Sequence, residues 1–367
     1  MSAPAQVLMT ADAVGGVWTY ALDLAQGLTE IGFHVTLAVM GPEPSAVQRQ
    51  AARTVRGLRL LETGLPLDWM ASDLGAVLES GCAIADLARA SGADLVHLNA
   101  PALAASNAFD LPVVGMAHSC LASWWEAVKA GPAPPDFAWR TQLLAAGYRA
   151  CARVIAPTRA FAATTARLYP GTRPLVVANG RRTATTPRRF QRTSGVITAG
   201  RLWDEGKNLD TLDRAAARLS APVFAAGPLH GPQGQRAQMQ HVRALGPLAP
   251  DALASLLART PVFAALPLYE PFGLAVLEAA QAGCALVLSD IPSLRELWDG
   301  AALFVDPRAP DEAAAAIEGL LADDEHLAEM AAAAVRRAER YSAQALTAGT
   351  LAVYAAVMAA QRQEARA

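Results

Sequence analysis

Little of this chain is charged. Asp, Glu, Lys and Arg make up 17% of its 367 residues, and the two signs almost cancel to a formal −2. A protein that grips nucleic acid through its phosphates needs a clustered positive surplus, so no nucleic-acid partner is expected. Cysteine is equally scarce. The four, Cys82, Cys120, Cys151 and Cys284, are scattered, and no two have metal-ligand or redox-motif spacing. They read as small buried apolar residues, in keeping with a reducing cytoplasm. No His/Asp/Glu cluster has ligand spacing either, so no metal is expected. The first residues, MSAPAQVLMTADAVGG, lack a basic segment followed by a long apolar core and do not read as a signal peptide. No apolar run reaches the roughly 18–20 residues that spanning a bilayer requires. There is no G-x-G-x-x-G dinucleotide fingerprint, no heptad repeat and no collagen-like repeat.

What the chain has in quantity is apolar residues, 53% of the total, enough for more than one sizeable core. They fall in short runs separated by helix-favouring stretches. Strands are predicted at 6–9, 33–39, 94–98, 112–117 and 153–156. A second series is predicted at 175–177, 195–199, 222–225, 261–266, 285–288 and 302–305. Most runs are continuously apolar, as in parallel strands covered on both faces. The alternation predicts α/β architecture: two Rossmann-like, doubly wound domains facing across a cleft. The polar, turn-prone stretch NGRRTATTPRRFQRTS, residues 179–194, marks the boundary. The expected division is a first domain over 1–180, a linker over 181–194 and a second domain over 195–342. A final helix over 343–367 is free to brace the first domain.

The most informative stretch is EPFGLAVLE, residues 270–278. It sets two carboxylates eight positions apart around the start of a helix. Pro271 suits a first helical position, and Gly283 suits the residue after the last turn. Glu270 then lies on the loop before the helix and Glu278 inside it. The N–H groups of Phe272, Gly273 and Leu274 form a natural anion site. A ligand with phosphates in the middle and hydroxyls at both ends fits this arrangement.

That segment resembles the signature of retaining glycosyltransferase family 4, a nucleotide-sugar family with the GT-B fold. The resemblance implies that Glu278 meets the ribose and Glu270 the donor hexose. Further segments match. AGRLWDEGKN, residues 199–208, resembles the family's Gly-Arg-Leu…Lys element, which implies that Arg201 and Lys207 meet the diphosphate. Here the two are six apart, against a usual five, which puts Lys207 in doubt. The same string misses a P-loop by one residue, and by Asn208 where Ser or Thr is needed. Gly15 and Gly16 follow the first strand at the place of the family's glycine-rich loop. His118, at the carboxyl end of the strand 112–117, stands where relatives place a His on the donor sugar. Gly227 fits a turn beside the nucleotide, and RALGPL, residues 243–248, fits the nucleobase pocket. Trp124 and Trp125 are open to acceptor stacking or to burial.

The resemblance implies a hexosyl transfer from a UDP-, GDP- or ADP-sugar to an acceptor hydroxyl, with no cofactor or metal. The acceptor is left open among small molecules, glycans and lipid-linked sugars. Two alternatives from other classes stand beside this reading: a non-catalytic nucleotide-sugar-binding protein on the same fold, and a nucleotide-sugar epimerase. Arg173, Arg181, Arg182, Arg188, Arg189, Arg192 and Arg201 follow one another with no acidic residue between 169 and 203. They read as a solvated linker, as a basic rim that steers an anionic donor, or as a peripheral contact with an anionic membrane. The expected location is the cytoplasm, including the inner face of the membrane.

Overall fold

The computed structural model describes residues 5–182 and 195–364. Two compact units emerge, one of residues 1–180 with 343–367, the other of residues 181–342. Each is built on one parallel sheet.

In the first unit the strands are β1 (Gln6–Asp12), β2 (His34–Met40), β3 (Leu58–Glu62), β4 (Leu95–Leu98), β5 (Val113–Met116), β6 (Arg153–Ala156) and β7 (Leu175–Val176). Their order across the sheet is β3-β2-β1-β4-β5-β6-β7, so the winding reverses between β1 and β4. The apolar runs have a simple cause. Val7, Met9 and Ala11 of β1 enter one core with Leu24 and Leu28 of the helix Gly16–Glu30. Leu8, between them, enters the core on the opposite face with Val96 and Ile84. A strand buried on both sides cannot alternate with polar residues.

The helix Ala343–Glu364 closes the first of these cores with Leu346, Val353, Tyr354 and Val357. Gly27 gives it room, because a Cβ there would lie 1.9 Å from Thr347 Oγ1. By length and composition the stretch 343–363 is long and apolar enough to cross a membrane. This corrects the sequence reading that no run qualifies. Its larger apolar residues Leu346, Val353, Tyr354 and Val357 serve the unit's core.

The second unit has β8 (Val196–Ala199), β9 (Val223–Ala226), β10 (Arg243–Gly246), β11 (Val262–Ala265), β12 (Ala285–Ser289) and β13 (Leu303–Val305). Their order is β10-β9-β8-β11-β12-β13, and the reversal falls between β8 and β11. Val196, Val223, Val262, Ala285 and Val287 carry its core.

Three sequence expectations need correction. The run at 175–177 closes the first sheet as β7 rather than opening the second, through its pairing with β6. Strand β3 was not foreseen, and β10 was read only as a turn; both are edge strands with mostly exposed or half-exposed side chains. Most of the expected linker, with Arg188, Arg189 and Arg192, lies outside the described residues.

Candidate functional site

In an open parallel sheet, the loops beyond the carboxyl ends of the strands splay apart where the winding reverses. That crevice is where ligands bind. In the second unit the reversal lies between β8 and β11, so the loops after these strands define the place. They carry Arg201 and Lys207, and Glu270, respectively.

The two loops are joined. Leu268 and Tyr269 both donate their N–H groups to the Gly206 carbonyl, at 2.9 and 3.3 Å. Lys207 Nζ makes a short ion pair with Glu270 Oε2. The extra residue between Arg201 and Lys207 therefore does not carry Lys207 away from Glu270. It is absorbed by the 3-10 turn Glu205–Lys207. Asp204 closes that turn by accepting from the Gly206 N–H at 2.9 Å. Its other oxygen accepts from Arg201 Nη2 at 2.9 Å. Sequence reasoning missed Asp204. Asn208 leaves the turn in a left-handed conformation, φ 54°, and donates to the carbonyls of Leu266 and Pro307, both at 2.7 Å.

Gly227, after β9, belongs to the same crevice. Its φ is 141°, and a Cβ would sit 1.8 Å from the Gly200 carbonyl oxygen. Only glycine lets the two backbones approach so closely. Its N–H donates to the Gly246 carbonyl at 2.8 Å, which ties in the end of β10 and the RALGPL segment.

The 270–278 segment departs from expectation in one respect. Its helix runs Leu274–Ala282, with Gly273 at φ 90° before it and Gly283 at φ 91° after it. Pro271 is thus not the first helical residue. The left-handed Gly273 turns the chain between them, so helical geometry starts only at Leu274. Nor are all the expected N–H groups open. Glu270 Oε1 accepts from the Phe272 N–H at 3.3 Å, so a carboxylate already uses that donor. Gly273 and Leu274 have no such partner among the described residues. Ser293 holds the loop from below through its hydroxyl, which donates to the Glu270 carbonyl.

Glu278 lies just over one turn inside the helix, half-buried. Its Oε1 accepts from Arg181 Nε at 2.9 Å. Arg181 is itself fixed by the backbone, donating its N–H to the Tyr341 carbonyl at 3.1 Å and bridging to Ser342. The sequence reading placed Arg181 in a basic linker. Its partner is 97 positions away, so no local pattern could reveal it.

In the first unit the corresponding reversal lies between β1 and β4. Gly15 precedes the helix Gly16–Glu30 as expected. Two of the loop's N–H groups are engaged, however: Asp12 Oδ1 accepts from Val14 at 2.8 Å and Gly15 at 3.3 Å. His118 follows β5, half-buried. Its Nε2 lies 2.7 Å from Asn99 Oδ1, and the Tyr20 ring stands edge-on at 4.7 Å. Burial, and then the neighbouring His97, push its pKa down to about 3, so the ring is neutral at physiological pH. Trp125 is packed on Phe137 at 5.3 Å and donates to the Gly131 carbonyl at 3.0 Å, while Lys129 lies over Trp124. Among the described residues no three His, Cys, Asp or Glu side chains gather as a metal site.

Comparison with known proteins agrees with this geometry. Residues 14–184 match the family model of Glycosyltransferase Family 4, and residues 193–323 match that of Glycosyl transferases group 1. A phosphatidyl-myo-inositol mannosyltransferase of Mycolicibacterium smegmatis is 37% identical over 123 residues. That match spans 33% of this chain and only 32% of the relative. Among solved structures, a sucrose-phosphate synthase from Thermosynechococcus elongatus aligns over 97% of this chain and 100% of its own, with a TM-score of 0.78 and 16% identity. Anabaena HepE in complex with UDP-glucose aligns over 96% of this chain and 99% of its own, with a TM-score of 0.73 and 18% identity. With two parallel sheets, each reversed at its centre, and both halves matched by family models, the chain belongs to the group 1 glycosyltransferases, family 4-like, with the GT-B fold of two Rossmann-like domains.

Proposed function

We propose that this protein is a retaining hexosyltransferase that uses a nucleoside diphosphate sugar as donor and an acceptor hydroxyl as nucleophile. The observation that carries the reading is the joining of Arg201, Lys207 and Glu270 at the winding reversal of the second unit. Lys207 on the Glu270 carboxylate and Arg201 on the turn that carries Lys207 suit a diphosphate whose charge grows as the glycosidic bond breaks. Arg201 offers a planar fork and Lys207 a point charge. Stabilisation of the departing diphosphate is electrostatic catalysis at the leaving group. Glu278 accepts hydrogen bonds from the ribose, and Glu270 from the hexose. Gly15, Gly16 and His118 serve the donor from the first unit. HepE, whose structure holds UDP-glucose, supports a nucleotide-sugar donor. The mannosyltransferase relative, named for a phosphatidyl-inositol, supports a lipid-linked acceptor.

The pairing of the carboxylates supports this mechanism. Double displacement needs a free carboxylate at the anomeric carbon, and both Glu270 and Glu278 are held by cations. Inversion needs a general base, and a His118 with its pKa near 3 is a weak one. Front-face attack remains, with a phosphate oxygen of the leaving group taking the acceptor proton. It asks the protein for positioning and charge stabilisation.

A thermal-shift screen of UDP-, GDP- and ADP-sugars tests the donor class. A ligand at about 100 times its Kd stabilises by roughly 2.7 kcal/mol. NMR of the first-formed transfer product then reads the anomeric configuration. Retention is expected, and an inverted product would overturn the mechanism.

A further inference from the structure

Three parallel neighbours, β1, β4 and β5, end side by side in the first unit. They bring Thr10, Asn99 and His118 into one chain of hydrogen bonds. Each link constrains the next. The Asn99 N–H donates to Thr10 Oγ1 at 2.9 Å, and the Asn99 amide nitrogen Nδ2 donates to the Thr10 carbonyl at 2.6 Å. A carbonyl oxygen only accepts. With the amide reversed, two oxygens would face each other at that distance, so the NH2 end must point to Thr10. The amide oxygen Oδ1 is thereby committed to His118, 2.7 Å from Nε2. It too only accepts, so Nε2 must carry the hydrogen. A neutral imidazole has one N–H, which leaves Nδ1 as a bare lone pair.

The surroundings keep the ring in this setting. Thr10 is 1% exposed, and the Tyr20 ring meets His118 edge-on at 82°. Nδ1 has no partner among the described residues, nor is it one of the buried unpartnered atoms. It therefore opens to solvent.

We infer that Asn99 is a positioning residue that holds His118 as its Nε2–H tautomer, so that His118 presents Nδ1 as a hydrogen-bond acceptor for a substrate hydroxyl. The hydroxyl-facing part rests on the proposal that His118 meets the donor sugar. The consequence is selectivity by chemistry. A bare Nδ1 takes the O–H of a sugar and offers nothing to a phosphate oxyanion, which is itself an acceptor. In this unit two loop N–H groups near the helix start, those of Val14 and Gly15, are already held by Asp12.

The test reads the tautomer directly in the whole protein. Histidine rings are labelled with nitrogen-15, two-bond proton–nitrogen correlations are recorded near pH 7.5, and His118→Gln identifies the His118 signals. The expected wild-type pattern is a protonated Nε2 and an unprotonated Nδ1. Protonation at Nδ1, at both nitrogens, or a rapid average of tautomers would overturn the inference. Asn99→Leu, which removes the acceptor oxygen, should release the tautomer towards a mixture. An Asn99→Leu ring still fixed as Nε2–H would also overturn it. If the Leu variant does not fold, the wild-type spectrum decides.

Calorimetry supplies the second readout, with UDP-glucose, GDP-mannose and ADP-glucose set against UDP, GDP and ADP. Asn99→Leu should weaken the sugar nucleotide that binds by about tenfold and leave the free nucleotide unchanged, as expected for one lost hydrogen bond. Equal weakening of both would mark a merely structural role. If the tautomer is as expected and none of the three sugar nucleotides shifts Nδ1, the donor-sugar contact falls and the positioning by Asn99 stands.

Discussion

At the scale of single residues, the candidate site is a set of carboxylates each tied to a cation. Glu270 holds Lys207, Glu278 holds Arg181, and Asp204 holds Arg201. Glu270 and Glu278 were legible because their spacing around Pro-Phe-Gly lies within one helix start. Arg181, Asp204, Asp12 and Asn99 were not, because their importance lies in partners that the fold supplies. Glu278→Ala is expected to weaken UDP, GDP or ADP binding, whichever the protein prefers. A lost charged hydrogen bond costs on the order of 1.5–3 kcal/mol, about ten- to hundredfold in affinity. Calorimetry showing unchanged affinity would refute the ribose role. Arg201→Ala should lower turnover more than donor affinity, since its partner gains charge only as the bond breaks. Asp204→Ala should do likewise without touching the ligand, because one oxygen holds Arg201 and the other caps the turn that carries Lys207. Steady-state kinetics separate these effects. Wild-type kcat in Asp204→Ala would mean that the turn holds itself.

At the scale of elements, the centre of each sheet was legible and its edges were not. Strands such as β4, β5 and β12 are buried along their whole length, and burial on both faces writes a continuous apolar run. β10, with sequence RALG, is an exposed edge strand ending in glycine. An edge strand needs no apolar run and tolerates residues that break a central one. Its position is set instead by Asp213, on the helix Leu209–Ala216. That buried carboxylate accepts N–H groups from Gln240, His241 and Val242, at 2.8–3.0 Å. Burial alone would raise its pKa, but the three backbone donors outweigh it and the net shift is downward. A depressed folded pKa stabilises the fold above the ordinary Asp value of about 3.9. The contribution is lost as pH falls through the lower folded value. Asp213→Asn should therefore be less stable than wild type near neutrality. The gap should close progressively as pH drops below about 4. Urea unfolding across this range checks it, and a gap independent of pH would show that the charge is not its source.

At the scale of the whole molecule, the chain enters the second unit at Arg181 and leaves it at Ser342, and these two residues are bridged. The final helix then completes the first unit. Its helical pattern was readable and a bracing role for it expected; the particular element it meets, the helix Gly16–Glu30, was not, because that contact joins the two ends of the chain. Leu346, Val353, Tyr354 and Val357 are all buried in the first unit's core. Burying one large apolar side chain stabilises by about 1.5–3 kcal/mol, so the four together contribute roughly 6–12 kcal/mol. That is comparable with the entire stability of an ordinary domain, about 5–15 kcal/mol. A chain ending at residue 342 should therefore lose the first unit's cooperative unfolding. The second unit keeps its own core and every ion pair of the candidate donor site. Calorimetric scans should show one surviving transition, still raised by the nucleotide that stabilises the full-length protein. If the truncated chain retains both transitions, the helix is an accessory to the first unit. If it loses the nucleotide-dependent shift together with the first transition, the second unit does not hold the nucleotide alone.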